Sequence, residues 1–480
     1  MMNQKNLPFI LFTLGVFILL TLPVLLQDGM FMDGVQYACV SKNMAAGQGS
    51  FWQPFFSQTW WKSGSNVFLE HPPLGLWMQS LFFRVLGSSF YTERFYCFVM
   101  AVLNALMIVL IWRIFNKNSA EIKRLSWMPV LFWITVPVCF WSFQNNMLEN
   151  TMSLFTLAAV FFMLKACFAD SKKLPLLIIS GVFVFFATLT KGLPGLFPLL
   201  VIPLYWIFFR NTSFYKMALR FIIVVTVPVA IYLLILLDND AAQSLRFYFF
   251  DRLLYRISDE PTAASRFETP LRLLAELLPV MLLTFFTFLF LKIKKSKIAR
   301  DTRSVKSALF FICIGLSASM PLMLTMVQKG FYFVPSLPFF AIGFALLLAV
   351  PISEIVFRIA QKKNAFKIIM VVSLLFLVGT LFFSVIRIGG FSRDKDVLQD
   401  VYTLGKVIPE NTVVNIDDEV YNEWSVHCYL LRYFNISIKP SDKYPTCYYI
   451  RKKERKIDSL SNLQLVILPT KKYDLYRIGK

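Results

Sequence analysis

Residues 70–77 read Glu70-His71-Pro72-Pro73-Leu74-Gly75-Leu76-Trp77 and open an apolar run that continues to Leu86. The run is apolar enough to pass for a membrane span, but it is shorter than the roughly 20 residues that a helix needs to cross a bilayer. The two prolines favour a helix start, because proline fits the first turn of a helix. We therefore predict a juxtamembrane helix on the outer face of the membrane.

The composition is typical of a polytopic membrane protein. Of 480 residues, 57% are hydrophobic and 51 are phenylalanine, which is too apolar for a soluble globular protein. The pattern predicts an all-α polytopic membrane bundle of about eleven transmembrane helices. The predicted spans are residues 8–27, 93–115, 127–143, 150–168, 174–190, 193–209, 217–238, 271–291, 307–327, 332–350 and 366–387.

The net charge of +21 is concentrated in short connections between these spans. With the N-terminus in the cytoplasm, five basic connections all fall on the cytoplasmic side, as the positive-inside rule requires. If residues 74–86 also crossed the membrane, all five basic connections would lie outside the cytoplasm. The charge is therefore interpreted as a topology signal that also contacts lipid headgroups, and nucleic acid is not an expected partner. Residues 8–27 lack a small-residue cleavage site and are interpreted as a retained first helix.

This topology predicts which parts of the chain are exported. They are the first loop (28–92), a turn at 144–149, a loop at 239–270 and the tail from residue 388. We expect an integral multi-pass protein of the bacterial inner membrane, divided into a membrane domain (1–387) and a small extracytoplasmic α/β domain (388–480). In the tail, residues 412–416, 448–451 and 463–468 resemble strands, and 395–407 and 420–433 resemble amphipathic helices.

The seven cysteines form no Cys-x-x-Cys motif, which leaves no zinc or redox signature. Cys428 and Cys447 both lie in the predicted exported tail. A disulfide between them and two free thiols are equally compatible with the sequence.

Two carboxylates at the predicted outer rim of the bundle are candidates for catalysis. Asp33 follows the first span, in Met32-Asp33-Gly34-Val35-Gln36-Tyr37, and Glu149 precedes the fourth span. A carboxylate within hydrogen-bond reach can remove the proton of an attacking hydroxyl or amine, and a second one can orient the acceptor. The non-catalytic alternatives are a solvated loop or helix-cap carboxylate for Asp33 and a first-turn helix charge for Glu149.

Basic residues converge on the same predicted face and are candidates for binding a phosphate. Lys191 and Lys329 each precede a glycine, which lets phosphate oxygens approach the backbone closely. Such cations stabilise a phosphate leaving group as its charge develops. The alternative for each is a membrane anchor. The remaining basic candidates are Arg252, Arg256 and Arg272.

Glu70 and His71 are adjacent in the first loop. Together they are candidate ligands of a divalent cation, or His71 is a phosphate contact. Two neighbouring residues are not a metal signature, so the sequence predicts no definite cofactor and leaves a divalent cation as the one candidate.

The ordered motifs resemble those of the polytopic glycosyltransferases of the GT-C fold. The similarity is greatest to lipid A aminoarabinose transferases and protein O-mannosyltransferases, and it spans residues 8–350. Its elements are Asp33 with Tyr37, Glu70-His71-Pro72-Pro73-Leu74 with Trp77, Gly87 and Arg94, the second acid Glu149, Lys191-Gly192, and Lys329 with Tyr332, Pro335 and Pro338.

The resemblance implies an inverting transferase that takes a sugar from a polyprenyl-phosphate donor on the extracytoplasmic face. It implies that Asp33 is the acceptor base and Glu149 its partner. Substrate contacts would come from Tyr37, Glu70, His71, Lys191, Arg252, Arg256, Arg272, Lys329 and Tyr332. The acceptor would be a lipid-linked glycan or a lipid A-like molecule, and membrane lipids would surround the site.

A transporter or flippase for a lipid-linked or anionic solute is the alternative function. Transporters place ionisable residues near the middle of the membrane, on broken helices in repeated halves. Here the carboxylates lie at the predicted rim and the sequence has no matching halves, which favours the enzyme.

Overall fold

The computed structural model describes residues 4–59, 66–254, 262–293, 302–421, 423–440, 446–453 and 463–479. The chain divides into two compact units. The helical unit comprises Met1–Pro23 and Cys97–Arg387, and the loop–tail unit comprises Val24–Tyr96 and Ile388–Lys480. One boundary between the two units falls after residue 387. The first loop, however, groups with the tail and not with the membrane spans.

Helices dominate both units. In chain order they are α1 Leu7–Leu25, α2 Met32–Ala45, α3 Leu74–Leu86, α4 Tyr91–Phe115, α5 Ala120–Lys123, α6 Trp127–Ile134, α7 Pro137–Gln144, α8 Leu148–Phe168, α9 Lys173–Lys191, α10 Val201–Phe209, α11 Phe214–Ile235, α12 Asn239–Arg246, α13 Glu268–Ile293, α14 Thr302–Ser319, α15 Leu337–Gln361, α16 Lys363–Ile386, α17 Lys395–Gly405, α18 Asp418–Tyr421 and α19 Trp424–Phe434. Single turns of 3-10 helix occupy Gln4–Asn6, Met320–Leu324 and Gly330–Phe333, a longer 3-10 segment occupies Leu193–Leu200, and Phe247–Leu254 is a π-helix.

Nine helices within the described ranges are long and apolar enough to cross a membrane, which confirms the all-helical membrane fold. The two remaining predicted spans have a different form. Residues 127–143 were expected as one helix, but α6 and α7 meet at an angle of 77°. Residues 193–209 begin as a 3-10 segment and become α-helical only at Val201.

Proline explains both departures. Pro137 starts α7 and forces Val136 into an extended conformation (φ −69°, ψ 124°), since the residue before a proline is excluded from the helical region. The break exposes backbone amides inside an apolar bundle, where each needs a partner. Glu276 on α13 supplies one, because its Oε2 accepts from the Val138 amide at 2.9 Å. In the second segment, Pro198 lies inside the 3-10 stretch and removes a donor of α-helical hydrogen bonds.

The short helix expected after the double proline forms as α3, Leu74–Leu86. Its 13 residues are too few to span a bilayer. It ends at Gly87, whose φ of +76° and ψ of −169° are a backbone conformation that glycine adopts at little cost.

The described part of the tail carries a five-stranded sheet, with strands β1 Val413–Ile416, β2 Ser437–Lys439, β3 Tyr448–Lys452, β4 Leu463–Val466 and β5 Tyr473–Ile478. The strand order is β2-β1-β3-β5-β4. β1 is parallel to β2 and β3, whereas β5 is antiparallel to β3 and β4. The three predicted strands are present, and β2 and β5 were missed. The second predicted tail helix starts at Trp424 and not at residue 420.

The first loop belongs with the tail because the two share backbone and side-chain hydrogen bonds. The Asp28 amide donates to the Gly390 carbonyl at 2.8 Å. The Tyr429 hydroxyl donates to the Met30 carbonyl at 2.9 Å, and Lys42 Nζ on α2 donates to the Arg432 carbonyl at 2.8 Å. Helix α2 is therefore fixed on one side by α19.

Candidate active site

Glu149 and Lys191 form a buried ion pair in the helical unit. Lys191 Nζ lies 3.1 Å from Glu149 Oε1, with side chains 7% and 1% exposed. Glu149 occupies the first turn of α8, and Lys191 is the last residue of α9. A buried charge persists only when it is paired or hydrogen-bonded. Lys191 is therefore a buried, paired cation and not a surface anchor, whereas Glu149 is a first-turn helix charge that also pairs with Lys191.

Asparagine contacts fix the start of α8 next to Glu149. Asn150 Oδ1 accepts from Ser142 Oγ at 2.7 Å, and Asn150 Nδ2 donates to the Ser142 carbonyl at 2.9 Å. Asn104 Nδ2 donates to the Asn150 carbonyl at 3.1 Å. These bonds satisfy polar groups that have no water available inside the bundle, and they hold the Glu149 backbone in place.

Gly192 lets an aromatic side chain close over the end of α9. Its φ is +81°, and a Cβ at this position would overlap the Tyr248 hydroxyl. That hydroxyl donates to the Lys191 carbonyl at 3.1 Å. Tyr248 belongs to the π-helix Phe247–Leu254, which also carries the half-buried Arg252. The Tyr248 contact thus joins the π-helix that carries Arg252 to the end of α9, where Lys191 pairs with Glu149.

A second group of candidates surrounds a small recess of the same unit. Arg272, Lys329 and Tyr332 line it, together with Glu268, Thr269 and Gln328. Its volume of about 10 Å³ corresponds to roughly one water molecule, so the side chains are closely packed. Gly330 makes this packing possible, because a Cβ there would lie 2.7 Å from Arg272 Nη2. Arg256 lies outside the described residues.

Asp33 lies in the loop–tail unit, in the first turn of α2, and is half-buried. Helix α19 is its neighbour. Burial raises the pKa of the Cys428 thiol well above its usual value, and Cys39 and the Asp33 carboxylate raise it further. Asp33 is thus an accessible carboxylate on a helix that the tail holds in place.

Tyr37 and His71 are brought together in the same unit. The Tyr37 hydroxyl and His71 Nε2 are 3.1 Å apart, and both side chains are buried. Phe68 packs edge-on against both rings. The neighbouring Glu70 is half-buried. His71 therefore contributes to positioning the loop in addition to any substrate contact.

The metal assignment to Glu70 and His71 lacks further ligands. Within the described ranges, no cluster of three or more His, Cys, Asp or Glu side chains is arranged to hold an ion. One His71 ring nitrogen already faces Tyr37. The metal site stays a prediction with two ligands, fewer than the three protein ligands of a typical catalytic zinc site.

Sequence reasoning missed a buried charge network in the loop–tail unit. The Asp28 carboxylate accepts from the hydroxyls of Tyr402 at 2.5 Å and Tyr433 at 2.6 Å, and from Arg94 Nη2 at 3.3 Å. Glu93 pairs with Arg432. The adjacent Glu93-Arg94 pair at the start of a span was the available signal, because ionisable residues there are costly unless they are paired.

Cys428 and Cys447 are both free, the first buried and the second exposed. Of the two alternatives that the sequence left open, the structure has the free thiols.

Comparison with known proteins supports the fold assignment. The structure matches ArnT from Cupriavidus metallidurans bound to undecaprenyl phosphate with a TM-score of 0.65 and 14% identity, over 97% of each chain. The chain has the GT-C fold. Apo ArnT matches equally well, with a TM-score of 0.65 and 13% identity over 96% of this chain and 95% of that one.

Two further comparisons extend the GT-C assignment. The oligosaccharyltransferase AglB from Archaeoglobus fulgidus, in complex with an inhibitory peptide and a dolichol-phosphate, matches with a TM-score of 0.50 and 14% identity, over 92% of this chain and 69% of that one. Residues 70–235 match the family model described as dolichyl-phosphate-mannose-protein mannosyltransferase. No curated protein sequence matches the chain significantly. The predicted resemblance to both groups of GT-C enzymes is confirmed.

Proposed function

We propose that this protein is a membrane glycosyltransferase that moves a sugar from a polyprenyl-phosphate donor to a lipid-linked or lipid A-like acceptor on the extracytoplasmic face. The observation that carries the proposal is the buried Glu149–Lys191 pair, closed by Tyr248, within a GT-C fold. ArnT, which shares this fold over its whole length, binds undecaprenyl phosphate. A rigid cation at the end of a helix is suited to such a phosphate.

In this mechanism, the chemistry is one inverting displacement. The Asp33 carboxylate takes the proton of the acceptor hydroxyl or amine, and the resulting nucleophile attacks the anomeric carbon. The bond between that carbon and the phosphate oxygen breaks, and the polyprenyl phosphate leaves with the electron pair. Lys191, Arg252 and Arg272 neutralise the departing charge, while Glu149 fixes the position of Lys191.

The test is a comparison of glycolipids by mass spectrometry from cells that carry the wild-type chain or Asp33→Asn. We expect the substitution to abolish a mass increment of one sugar and to leave protein levels in the membrane unchanged. Asp170→Asn, at an exposed turn, is the matched control. If Asp33→Asn transfers sugar normally, the role of Asp33 is wrong. Unchanged glycolipids and glycoproteins after deletion of the whole chain would instead favour a transporter.

The extracytoplasmic side can be tested with a natural thiol. Cys447 is exposed, whereas Cys39, Cys97, Cys139 and Cys428 are buried. A membrane-impermeant maleimide should therefore label the protein in intact cells, and Cys447→Ser should remove most of the label. Labelling at Cys447 only after permeabilisation would place the tail in the cytoplasm.

A further inference from the structure

A cavity of about 240 Å³ opens in the loop–tail unit. One wall is the end of α2 and the loop segment that follows it, and the other is the end of α19 with the residues that flank β1 and β2. None of the residues assigned to catalysis or to phosphate binding lines it. Its polar side chains are five carboxamides and one hydroxyl, from Asn43, Gln48, Gln58, Asn411, Asn435 and Ser437.

Two of these amides build the walls. Asn43 Nδ2 donates to the carbonyls of Phe55 and Phe56 at 3.2 and 2.8 Å. Gln58 Nε2 donates to the Asn411 carbonyl at 3.3 Å. These bonds connect α2 to its loop and the loop to the tail, so they give the cavity a fixed shape before any ligand arrives.

The other three amides are available to a ligand. The side chains of Gln48, Asn411 and Asn435 make no hydrogen bond to any part of the chain that the structure describes. Asn411 and Asn435 have φ of +59° and +54°, a conformation that asparagine adopts more readily than most residues. Each amide offers both a donor and an acceptor. Gln48 and Asn411 are exposed and Asn435 is half-buried, so all three carboxamides can exchange hydrogen bonds with the hydroxyl groups of a ligand.

The lining residues are uncharged, which restricts the chemical class of ligand that the cavity can bind. Among the residues that the structure describes, the lining contains no Lys, Arg, Asp or Glu, although the chain as a whole carries a net charge of +21. A phosphate or carboxylate would lose hydration here without gaining a charged partner. Phe55, which is half-buried, adds an aromatic face to the lining. A pyranose ring presents a matching combination of hydroxyl edges and an apolar C–H face.

We propose that this cavity binds a neutral saccharide. The volume is below the roughly 300–1,000 Å³ of pockets for drug-sized ligands, which suits about one sugar ring. The biological role of the cavity rests on the proposed transferase function: in such an enzyme, the bound saccharide is a neutral sugar of the acceptor glycan. The cavity would then select acceptors by their glycan while the charged residues act on the donor.

The experiment measures binding of full-length protein in detergent to an array of immobilised neutral, sulfated and sialylated oligosaccharides. Asn411→Gly with Asn435→Gly removes two amides and keeps the positive φ that glycine tolerates. We expect the wild-type protein to bind neutral glycans and the double variant to bind them about 10-fold more weakly, as the loss of two neutral hydrogen bonds implies. Asn118→Gly, at an exposed turn, is the control and should bind like the wild type.

The outcomes separate this inference from the proposed function. One outcome is a wild-type protein that transfers sugar in cells and yet binds no neutral glycan, or prefers anionic glycans. That result would overturn the cavity assignment and leave the proposed function in place. Amide-dependent binding of neutral glycans without any transfer would overturn the proposed function and leave the cavity assignment in place. Equal binding by the double variant and the wild type would also refute the cavity as the site.

Discussion

Arg432 and Glu93 meet in the interior of the loop–tail unit, although 339 positions separate them in the sequence. Arg432 Nη2 donates to Glu93 Oε2 at 2.7 Å, and the two side chains are 1% and 2% exposed. Burial alone would lower the pKa of Arg432, but the Glu93 carboxylate outweighs it and the pKa lies above its usual value. Arg432 also donates to the carbonyls of Ser88 and Ser89.

Removing one member of this pair should destabilise the protein strongly. Arg432→Leu leaves the Glu93 carboxylate buried without its main counter-charge, which costs about 3 to 5 kcal/mol. A large fall in the thermal midpoint of the purified protein would show this. The exposed pair Arg358–Glu354, with side chains 71% and 47% exposed, is the control. Glu354→Ala should change stability by at most about 0.5 kcal/mol, and an equal loss at both sites would contradict the assignment.

The Glu149–Lys191 pair should be needed for activity. Glu149→Gln and Lys191→Met should each lower transfer by about 100-fold or more, since both the position of the cation and its charge at the phosphate are lost. Transfer of radiolabelled sugar in membranes measures the effect. Glu121→Gln, in the exposed helix α5, is the control. If the double variant Glu149→Gln/Lys191→Met folds and still transfers at the wild-type rate, the pair is only structural.

Gly192 should not accept a side chain. Gly192→Ala combines strain at φ +81° with an overlap on the Tyr248 hydroxyl. We expect a loss of about 1 to 3 kcal/mol and a fall in transfer, because Tyr248 would leave the Lys191 carbonyl. Gly379→Ala, in α16 with open space around it, is a matched control that should be neutral or slightly stabilising. Wild-type activity and stability for Gly192→Ala would contradict the described closure.

His427 should make the stability of the tail sensitive to acid. It is buried between the rings of Phe56 and Trp424, and burial lowers its pKa from 6.5 to about 4. Above pH 6.5 the imidazole ring is neutral in both the folded and the unfolded protein. Between pH 6.5 and 4, His427 is protonated in the unfolded chain but stays neutral in the folded protein. The free energy of unfolding therefore falls as the pH falls.

The expected loss over that range is about 3 kcal/mol. Thermal midpoints of the wild type and His427→Phe at pH 5 and pH 7.5 test it, because phenylalanine keeps the ring packing and cannot titrate. Trp424→Phe should lower stability at both values and keep the wild-type slope. An unchanged slope in His427→Phe would show that other groups carry the acid sensitivity.

The sequence predicted elements whose cause is local. The long apolar runs give nine helices, among the described residues, that are long and apolar enough to span a membrane, because length and hydropathy alone decide that outcome. The double proline before Leu74 and the glycine at 87 bracket a short helix for reasons that lie within a few residues. The strands β2 and β5 were missed because a three-residue strand and one with a charged surface have little periodicity of their own, and their pairing partners stabilise them.

The limits of prediction are clearest at the kink near Pro137 and at the candidate site. The sequence contains Pro137, but not the information that Glu276, 138 residues later, accepts from the Val138 amide. It identified Glu149 and Lys191 as separate candidates at two helix ends. Their pairing at 3.1 Å depends on how α8 and α9 pack, which is a property of side-chain complementarity across the whole bundle.

By itself, the sequence determined the kind of protein, its membrane helices and the chemical types of its candidate residues, because hydropathy, proline and charge act locally. Only the tertiary structure decided that the first loop belongs with the tail, that Arg432 neutralises Glu93, and that unused amides gather at one cavity. Buried charges and amides need partners that compensate for lost water, and partners from distant parts of the chain are selected only when the chain folds.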